Sequence, residues 1–106
     1  MDFHNIKSSL GVDTNEAKEL ARLLADTLAS DIEKIRRGIR DNDVASIRFV
    51  AHSMKGSSGN LGFEKFSQLA AIVETRSRAG RLDGLGDLLL DMQGLLEKLE
   101  DSLSGR

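Results

Sequence analysis

Apolar residues recur along this chain every three or four positions, the spacing of one face of an α-helix. A long helix is predicted to start after Asp13, because Asp13 can cap it and Glu16, three residues later, completes a capping-box-like pair. Its expected buried stripe is Ala17, Leu20, Leu24, Leu28, Ile32, Ile35 and Ile39. Gly38 near its end costs about 1 kcal/mol relative to alanine in a helix, so we expect fraying there.

Three more amphipathic segments follow, separated by turns at 41–43 and 59–62 and by Gly80, a natural left-handed terminator. The helices are expected at about 44–58, from about 63 to Gly80, and at about 85–103. The first of these turns, Asp41, Asn42 and Asp43, is expected to supply the cap of the helix that follows it. Their expected inner residues are Ile47, Val50, Met54 and Ser58; Phe66, Leu69, Ala70 and Val73; and Leu85, Leu88, Leu89, Met92, Leu95, Leu96, Leu99 and Leu103.

The first segment is shorter. Phe3, Ile6 and Leu10 form one apolar stripe, which predicts a short helix across one end of the structure. Short turns cannot cross the length of a bundle, so the four longer helices must be antiparallel neighbours. We predict an all-α fold: an antiparallel up-down-up-down four-helix bundle with a short N-terminal helix, as one domain over residues 1–106.

Composition supports the helical interpretation and narrows the chemistry. The 106 residues include no proline, the strongest helix breaker, and no cysteine, which excludes disulfides, thiolate catalysis and Cys-ligated zinc. No apolar run approaches the roughly 20 residues of a membrane span, and no signal-peptide pattern opens the chain. We therefore expect a cytoplasmic protein that does not associate with membranes.

Charge is unevenly distributed although the formal net charge is only −2. The chain before Val44 has seven basic and nine acidic residues, and the chain after Leu82 has two basic and six acidic. The stretch between them carries Arg48, Lys55, Lys65, Arg76, Arg78 and Arg81 against only Glu64 and Glu74. The acidic total argues against nucleic-acid binding, whereas the local basic surplus suits an anion or an acidic protein surface. Ordinary solvated charges on helices are the alternative.

His52 is the candidate for chemistry. At about 100° per residue it falls on the outer face of its helix, opposite Val50 and Met54. That face also carries Ala45, Arg48, Phe49, Lys55, Gly56 and Gly59. Neutral imidazole is a good nucleophile, and a phosphate on it would add nearly two negative charges that Lys55 can reach back to neutralise. Gly56 leaves bare backbone where a protein surface could approach closely.

The segment His52-Ser-Met-Lys-Gly-Ser-Ser-Gly-Asn-Leu-Gly62 resembles the signature of histidine-containing phosphotransfer domains, His-x-x-Lys-Gly-(small)-(small)-x-x-(apolar)-Gly. Phe49-Val50-Ala51 before it, Val73-Glu74 after it and the number and order of helices fit the same family. The resemblance implies a phosphorelay intermediate in which His52 is phosphorylated, Lys55 neighbours the phosphate and Gly56 permits close approach.

The next helix carries a strip at spacings of four, three and four residues: Ser67, Ala71, Glu74 and Arg78. Small residues at 67 and 71 would leave room beside the histidine-bearing helix. By the resemblance, Glu74 bonds Nδ1–H of His52 and leaves Nε2 free to attack, and Arg78 touches phosphate or partner. A solvated glutamate, or one paired only with Arg78, is the alternative.

We expect a partner to bind at Arg48, Phe49, Gly59, Ser67 and Ala71, with Phe49 as the apolar centre. Structural roles are expected for Ser57 and Ser58, whose hydroxyls would bond the preceding turn, and a surface or helix-end role for His4.

The sequence has no P-loop and no carboxylate pair for magnesium, so we expect no intrinsic cofactor. The resemblance implies that catalytic groups and magnesium come from a response-regulator receiver domain, that a sensor histidine kinase is also a partner, and that transfer is reversible. We expect a monomer. The alternatives are a phosphoacceptor domain of a chemotaxis-type histidine kinase, a non-catalytic helical adaptor and a nucleic-acid-binding bundle.

Overall fold

The computed structural model describes residue 11 and residues 13–104, most of which lie in four α-helices. We label them in chain order: α1 is Thr14–Arg40, α2 is Val44–Asn60, α3 is Glu64–Arg78 and α4 is Leu85–Leu103. The described residues contain no strand, and the predicted all-α class is confirmed. The predicted N-terminal helix with Phe3, Ile6 and Leu10 lies outside the described residues, as does His4.

Aspartate caps start the first two helices, as predicted. Asp13 Oδ1 accepts a hydrogen bond from the Glu16 backbone N–H at 2.9 Å, and Asp43 Oδ1 accepts one from the Ser46 backbone N–H at 3.1 Å. Each bond satisfies a backbone donor that a helix leaves free in its first turn. Between the two helices Asn42 adopts a φ of 54°, which asparagine tolerates better than most residues, so a very short turn reverses the chain.

The helix ends also follow the pattern closely. α2 continues to Asn60, past the predicted end at Ser58, and α4 has the predicted bounds. After α3, Gly80 has a φ of 73° and its N–H donates to the Ser77 carbonyl at 2.9 Å. A glycine in this conformation just beyond a helix satisfies carbonyls of the last turn, so the terminator role predicted for Gly80 is confirmed.

One apolar core runs between the helices, and most predicted inner residues belong to it. One expectation needs correction, and one buried residue was not predicted. Leu20 is 38% exposed, because the inner line of α1 passes through Ala17, Ala21 and Leu24 instead. Phe63, which directly precedes α3, is completely buried, and its ring stacks on that of Phe66 with centroids 5.2 Å apart. Helical periodicity does not predict the burial of a residue in a turn.

The helices form a closed ring. Consecutive helices pack together, α1 also packs on α4, and the contact between α2 and α3 is the most extensive. Arg36 of α1 donates to Gln93 of α4, and Arg22 of α1 donates to the Leu103 carbonyl of α4, so α1 and α4 run in opposite directions. The fold is therefore a four-helix bundle, compatible with the predicted up-down-up-down order.

Gly38 has a packing role that the sequence did not reveal. It is buried in α1, and a Cβ placed on it would lie 2.6 Å from Cγ1 of Ile47 in α2. Its carbonyl accepts the Asp43 backbone N–H at 2.8 Å. The expectation of fraying is therefore wrong: glycine allows α1 and α2 to meet closely beside their turn, and α1 continues to Arg40.

Candidate functional site

Helix α2 holds His52 outward on a buried support. Its inner residues Ile47, Val50 and Met54 are buried, whereas the His52 side chain is 68% exposed. The helix is anchored along its length by that inner face, so the imidazole is presented to solvent from a fixed backbone. This is the orientation that the helical spacing predicted.

Helix α3 places a buried carboxylate beside the imidazole. Glu74 is only 4% exposed, and its Oε2 lies 2.6 Å from Nδ1 of His52. An ionised carboxylate can only accept hydrogen bonds, so this contact requires the hydrogen of neutral His52 to lie on Nδ1. The second ring nitrogen, Nε2, then carries the free lone pair.

Two cations share the same carboxylate. Lys55 Nζ donates to Glu74 Oε1 at 2.7 Å, and Arg78 Nη2 donates to Oε2 at 3.3 Å. The hydrogen bond from Lys55 is the main cause that lowers the pKa of the Glu74 carboxyl below its usual value; burial opposes that shift and the bond to His52 adds to it. Glu74 is therefore an anion at neutral pH despite its burial, and the alternative of a solvated glutamate is wrong.

A shallow depression of about 210 Å³ adjoins this cluster. It is lined by Arg48, Phe49, His52, Glu74 and Arg78. Phe49 is 76% exposed, an unusual degree for an aromatic side chain, and the two arginines add positive charge to the same lining. The surface thus combines a nucleophilic nitrogen, cations for a bound anion and an apolar contact for a partner.

The remaining predicted site residues lie on the two helices that carry His52 and Glu74. Gly56 and Gly59 are exposed on α2, and Ser67 and Ala71 are half-buried on α3. Ser67 Oγ donates to the backbone carbonyl of Lys55 at 2.8 Å, so at least this residue contacts α2 as well as solvent. A Cβ placed on Gly56 would have no described atom within 4 Å. Packing within the described chain therefore does not require glycine at this position.

Ser57 and Ser58 have the structural roles expected for them. Their hydroxyls donate to the Met54 carbonyl at 3.3 Å and 2.6 Å, one turn earlier in α2. Neither hydroxyl is directed at the imidazole. The sequence did not predict the ion pair between Lys55 and Glu74. Lys55 was expected to neutralise a phosphate, and the spacing of residues along one helix does not reveal their partners on another helix.

Two larger depressions lie elsewhere, and neither is lined by a histidine. One of about 260 Å³ is lined by residues of α1 and the end of α4, including Arg22, Asp26 and Glu100, and one of about 470 Å³ lies between α3 and α4. In residue 11 and residues 13–104 no cluster of three or more His, Cys, Asp or Glu side chains is arranged to hold a metal ion. No helix in that part of the chain combines the length and apolar character needed to span a membrane.

Comparison with known proteins relates this geometry to a family. The sequence model of one protein family, the Hpt domain, matches residues 19–102 of this chain. No curated protein matches the sequence. Histidine-containing phosphotransfer protein B from Pseudomonas aeruginosa PAO1 is similar in structure with a TM-score of 0.84 and 20% identity, covering 96% of this chain and 89% of that protein's. The HPT domain of a sensor hybrid histidine kinase from Shewanella has a TM-score of 0.77 and 22% identity, covering 97% and 89%. At these identities the likeness establishes the fold.

Proposed function

This chain belongs to the Hpt domain family, and from that premise we propose that it carries a phosphoryl group on Nε2 of His52, exchanged with an aspartate of a response-regulator receiver domain. Hpt domains serve histidine phosphotransfer in phosphorelays together with histidine kinases and response regulators. The observation that carries the assignment to His52 is its exposed ring with Nδ1 on the buried Glu74 carboxylate at 2.6 Å.

In the proposed step the Nε2 lone pair attacks the phosphorus of an aspartyl phosphate in line with the leaving oxygen. The new N–P bond forms as the P–O bond to the aspartate breaks, and the carboxylate leaves with the electron pair. The ring becomes a phosphorylated imidazolium whose Nδ1–H still donates to Glu74, so the buried anion balances the positive ring. The return transfer reverses each change.

Lys55 and Arg78 have electrostatic roles in this proposal. Both already contact Glu74, the carboxylate that holds Nδ1 of the ring, so a phosphoryl group on Nε2 would arrive near two cations. Charge neutralisation and positioning supply most of the catalysis in phosphoryl transfer. The partner would bring the remaining catalytic groups and the magnesium ion, which we assign to the receiver domain.

Arg48, Phe49 and Gly56 form the proposed contact for that partner. The receiver's acidic site would approach the basic side of α2, with Phe49 supplying an apolar centre and Gly56 permitting close backbone approach. A relay must release its partner, so this interface should be modest in area and transient.

The test is phosphotransfer profiling with ³²P label. The protein is mixed with each phosphorylated receiver of the same cell and, separately, with a chemotaxis-type kinase and ATP; transfer from a receiver is the expected fast reaction. The label on this chain should be acid-labile and base-stable, should disappear in His52→Gln, and should persist in the control His4→Gln. Label retained by His52→Gln would refute the proposal, and uptake only from the kinase would favour the kinase-phosphoacceptor alternative.

A further inference from the structure

Ser67 connects the two helices that build the site. α2 and α3 form the most extensive helix contact, and Ser67 Oγ of α3 donates to the Lys55 carbonyl of α2 at 2.8 Å. A Cβ placed on Gly59 would lie 3.1 Å from that hydroxyl oxygen, closer than side chains normally pack. The glycine therefore leaves the space in which the serine hydroxyl reaches α2.

This bond differs from those of the other serines near the site. Ser57, Ser58 and Ser77 each donate to a carbonyl three or four residues earlier in their own helix. Such bonds satisfy the hydroxyl locally and connect nothing else. The hydroxyl of Ser67 instead crosses to a neighbouring helix, twelve residues away in sequence.

The bond also differs from the other polar contacts across this helix pair. His52 and Lys55 both reach Glu74 through flexible side chains. Ser67 holds a backbone atom, which cannot rotate away as a side chain can. Its length therefore depends on where α3 lies along α2 and not on the charge on Glu74.

That position matters for the imidazole. Ser67 and Glu74 lie about two turns apart on one face of α3, and Lys55 lies about one turn after His52 on α2. Sliding one helix along the other by a single residue is a shift of about 1.5 Å. Across a 2.6 Å contact between Nδ1 and Oε2 such a shift lengthens the distance to about 3.0 Å and tilts the bond by about 30°, which weakens it.

We propose that Ser67 is a positioning residue whose hydrogen bond to the Lys55 carbonyl, in the space left by Gly59, sets the register that presents Glu74 to His52. The inference rests on the proposed function in one respect: the register matters for phosphotransfer because it favours the ring form with its proton on Nδ1. Ser67 itself touches neither the ring nor a phosphoryl group.

The test is ¹H–¹⁵N NMR of the His52 ring at alkaline pH. Ser67→Ala should lower the ratio of Nδ1–H to Nε2–H about fivefold, the equivalent of one net hydrogen bond. Gly59→Ala should shift the ratio in the same direction, because it crowds the same hydroxyl from the side of α2. Ser67→Thr retains the hydroxyl and should restore the wild-type ratio.

Ser57→Ala is the matched control, since it removes a hydroxyl bonded only within α2. A wild-type ratio in Ser67→Ala, or an equal change in Ser57→Ala, would overturn the proposal. The ring spectrum requires no partner and no phosphate. A protein that shows the predicted ratios yet never accepts label would refute the proposed function while leaving the role of Ser67 in the register intact.

Discussion

The two flanks of α3 meet their neighbouring helices in different ways. Toward α2 the helix presents small residues, Ser67 and Ala71, and the buried Glu74 with its hydrogen bonds across the contact. Toward α4 it presents Leu69 and Ile72, which with Lys65, Gln68, Asp91 and Leu95 line an open groove of about 470 Å³. We call these the α2 flank and the α4 flank.

The two flanks differ in how closely the helices pack and in which polar groups lie at the contact. Small side chains on the α2 flank let two backbones approach until side chains make hydrogen bonds near 2.6 to 2.8 Å across the contact. Larger apolar side chains on the α4 flank bury surface but leave the wider depression. The larger cavity therefore lies on the flank away from His52, and the site is recognised by its polar groups and their register rather than by volume.

The largest expected effect comes from the carboxylate of the α2 flank. Glu74→Gln removes the anion that orients the ring and balances the phosphorylated imidazolium, and charge-assisted hydrogen bonds contribute about 1.5–3 kcal/mol each. We expect phosphoryl uptake by His52 to slow by roughly 10- to 100-fold, measured as a single-turnover rate with a saturating labelled donor. Gln68→Ala, on the α4 flank, is the control and should leave the rate unchanged; equal rates for Glu74→Gln and wild type would show that the carboxylate is dispensable.

Adjacent residues on the two flanks give the second test. Ala71→Leu adds a large side chain beside α2, and overpacking of this kind destabilises by about 1–3 kcal/mol. Ile72→Ala removes a side chain that is 41% exposed on the other flank, so its loss of stability should stay below about 1 kcal/mol. Urea denaturation measures both. If Ile72→Ala were the more damaging change, the tight packing would belong to the α4 flank instead.

One glycine on each of the neighbouring helices, α2 and α4, allows the same comparison of the two flanks. A Cβ placed on Gly56 of α2 or on Gly94 of α4 meets nothing described within 4 Å. Replacing either with alanine should therefore stabilise the fold by about 0.5–1 kcal/mol through helix propensity. Only Gly56→Ala should slow transfer from a receiver, by several-fold at low receiver concentration, because its methyl group projects where the partner approaches. Unimpaired transfer in Gly56→Ala would remove this glycine from the interface.

The smallest expected effect is a dependence of stability on pH. The lowered pKa of Glu74 means that its ionised form stabilises the fold above the ordinary pKa and that this contribution disappears as pH falls through the lowered value. The difference in unfolding free energy between wild type and Glu74→Gln should therefore shrink on acidification below about pH 4.3. Urea denaturation at a series of pH values measures it, and a difference that grows in acid would have the wrong sign.

Asp31 of α1 provides the control of opposite sign. Burial raises the pKa of its carboxyl, and Lys34 only partly opposes that shift. Its charged form therefore destabilises the fold above the raised pKa, so Asp31→Asn should be more stable than wild type at neutral pH and lose that advantage as the pH falls.

Much of this architecture could be predicted from sequence because its determinants are local. The caps at Asp13 and Asp43 and the terminator at Gly80 lie within a few residues of the helix ends that they define. The outward direction of His52 likewise follows from the period of a single helix.

What escaped prediction depends on distances between helices. The spacing within α3 places Glu74 beside the buried face, but only the close approach of α2 buries it and brings Lys55 to its oxygen. The contact of Gly38 with Ile47 and the burial of Phe63 have the same origin. Such distances depend on how several helices pack together, and the hydrophobic period of one helix does not predict them.

The most direct test of the central claim locates the phosphoryl group on the ring. The ¹⁵N-labelled protein is phosphorylated by its fastest receiver, and the His52 imidazole is observed by ¹H–¹⁵N correlation. We predict phosphorus on Nε2 and a proton on Nδ1 bonded to Glu74. Phosphorus on Nδ1, or on any side chain other than His52, would contradict the account.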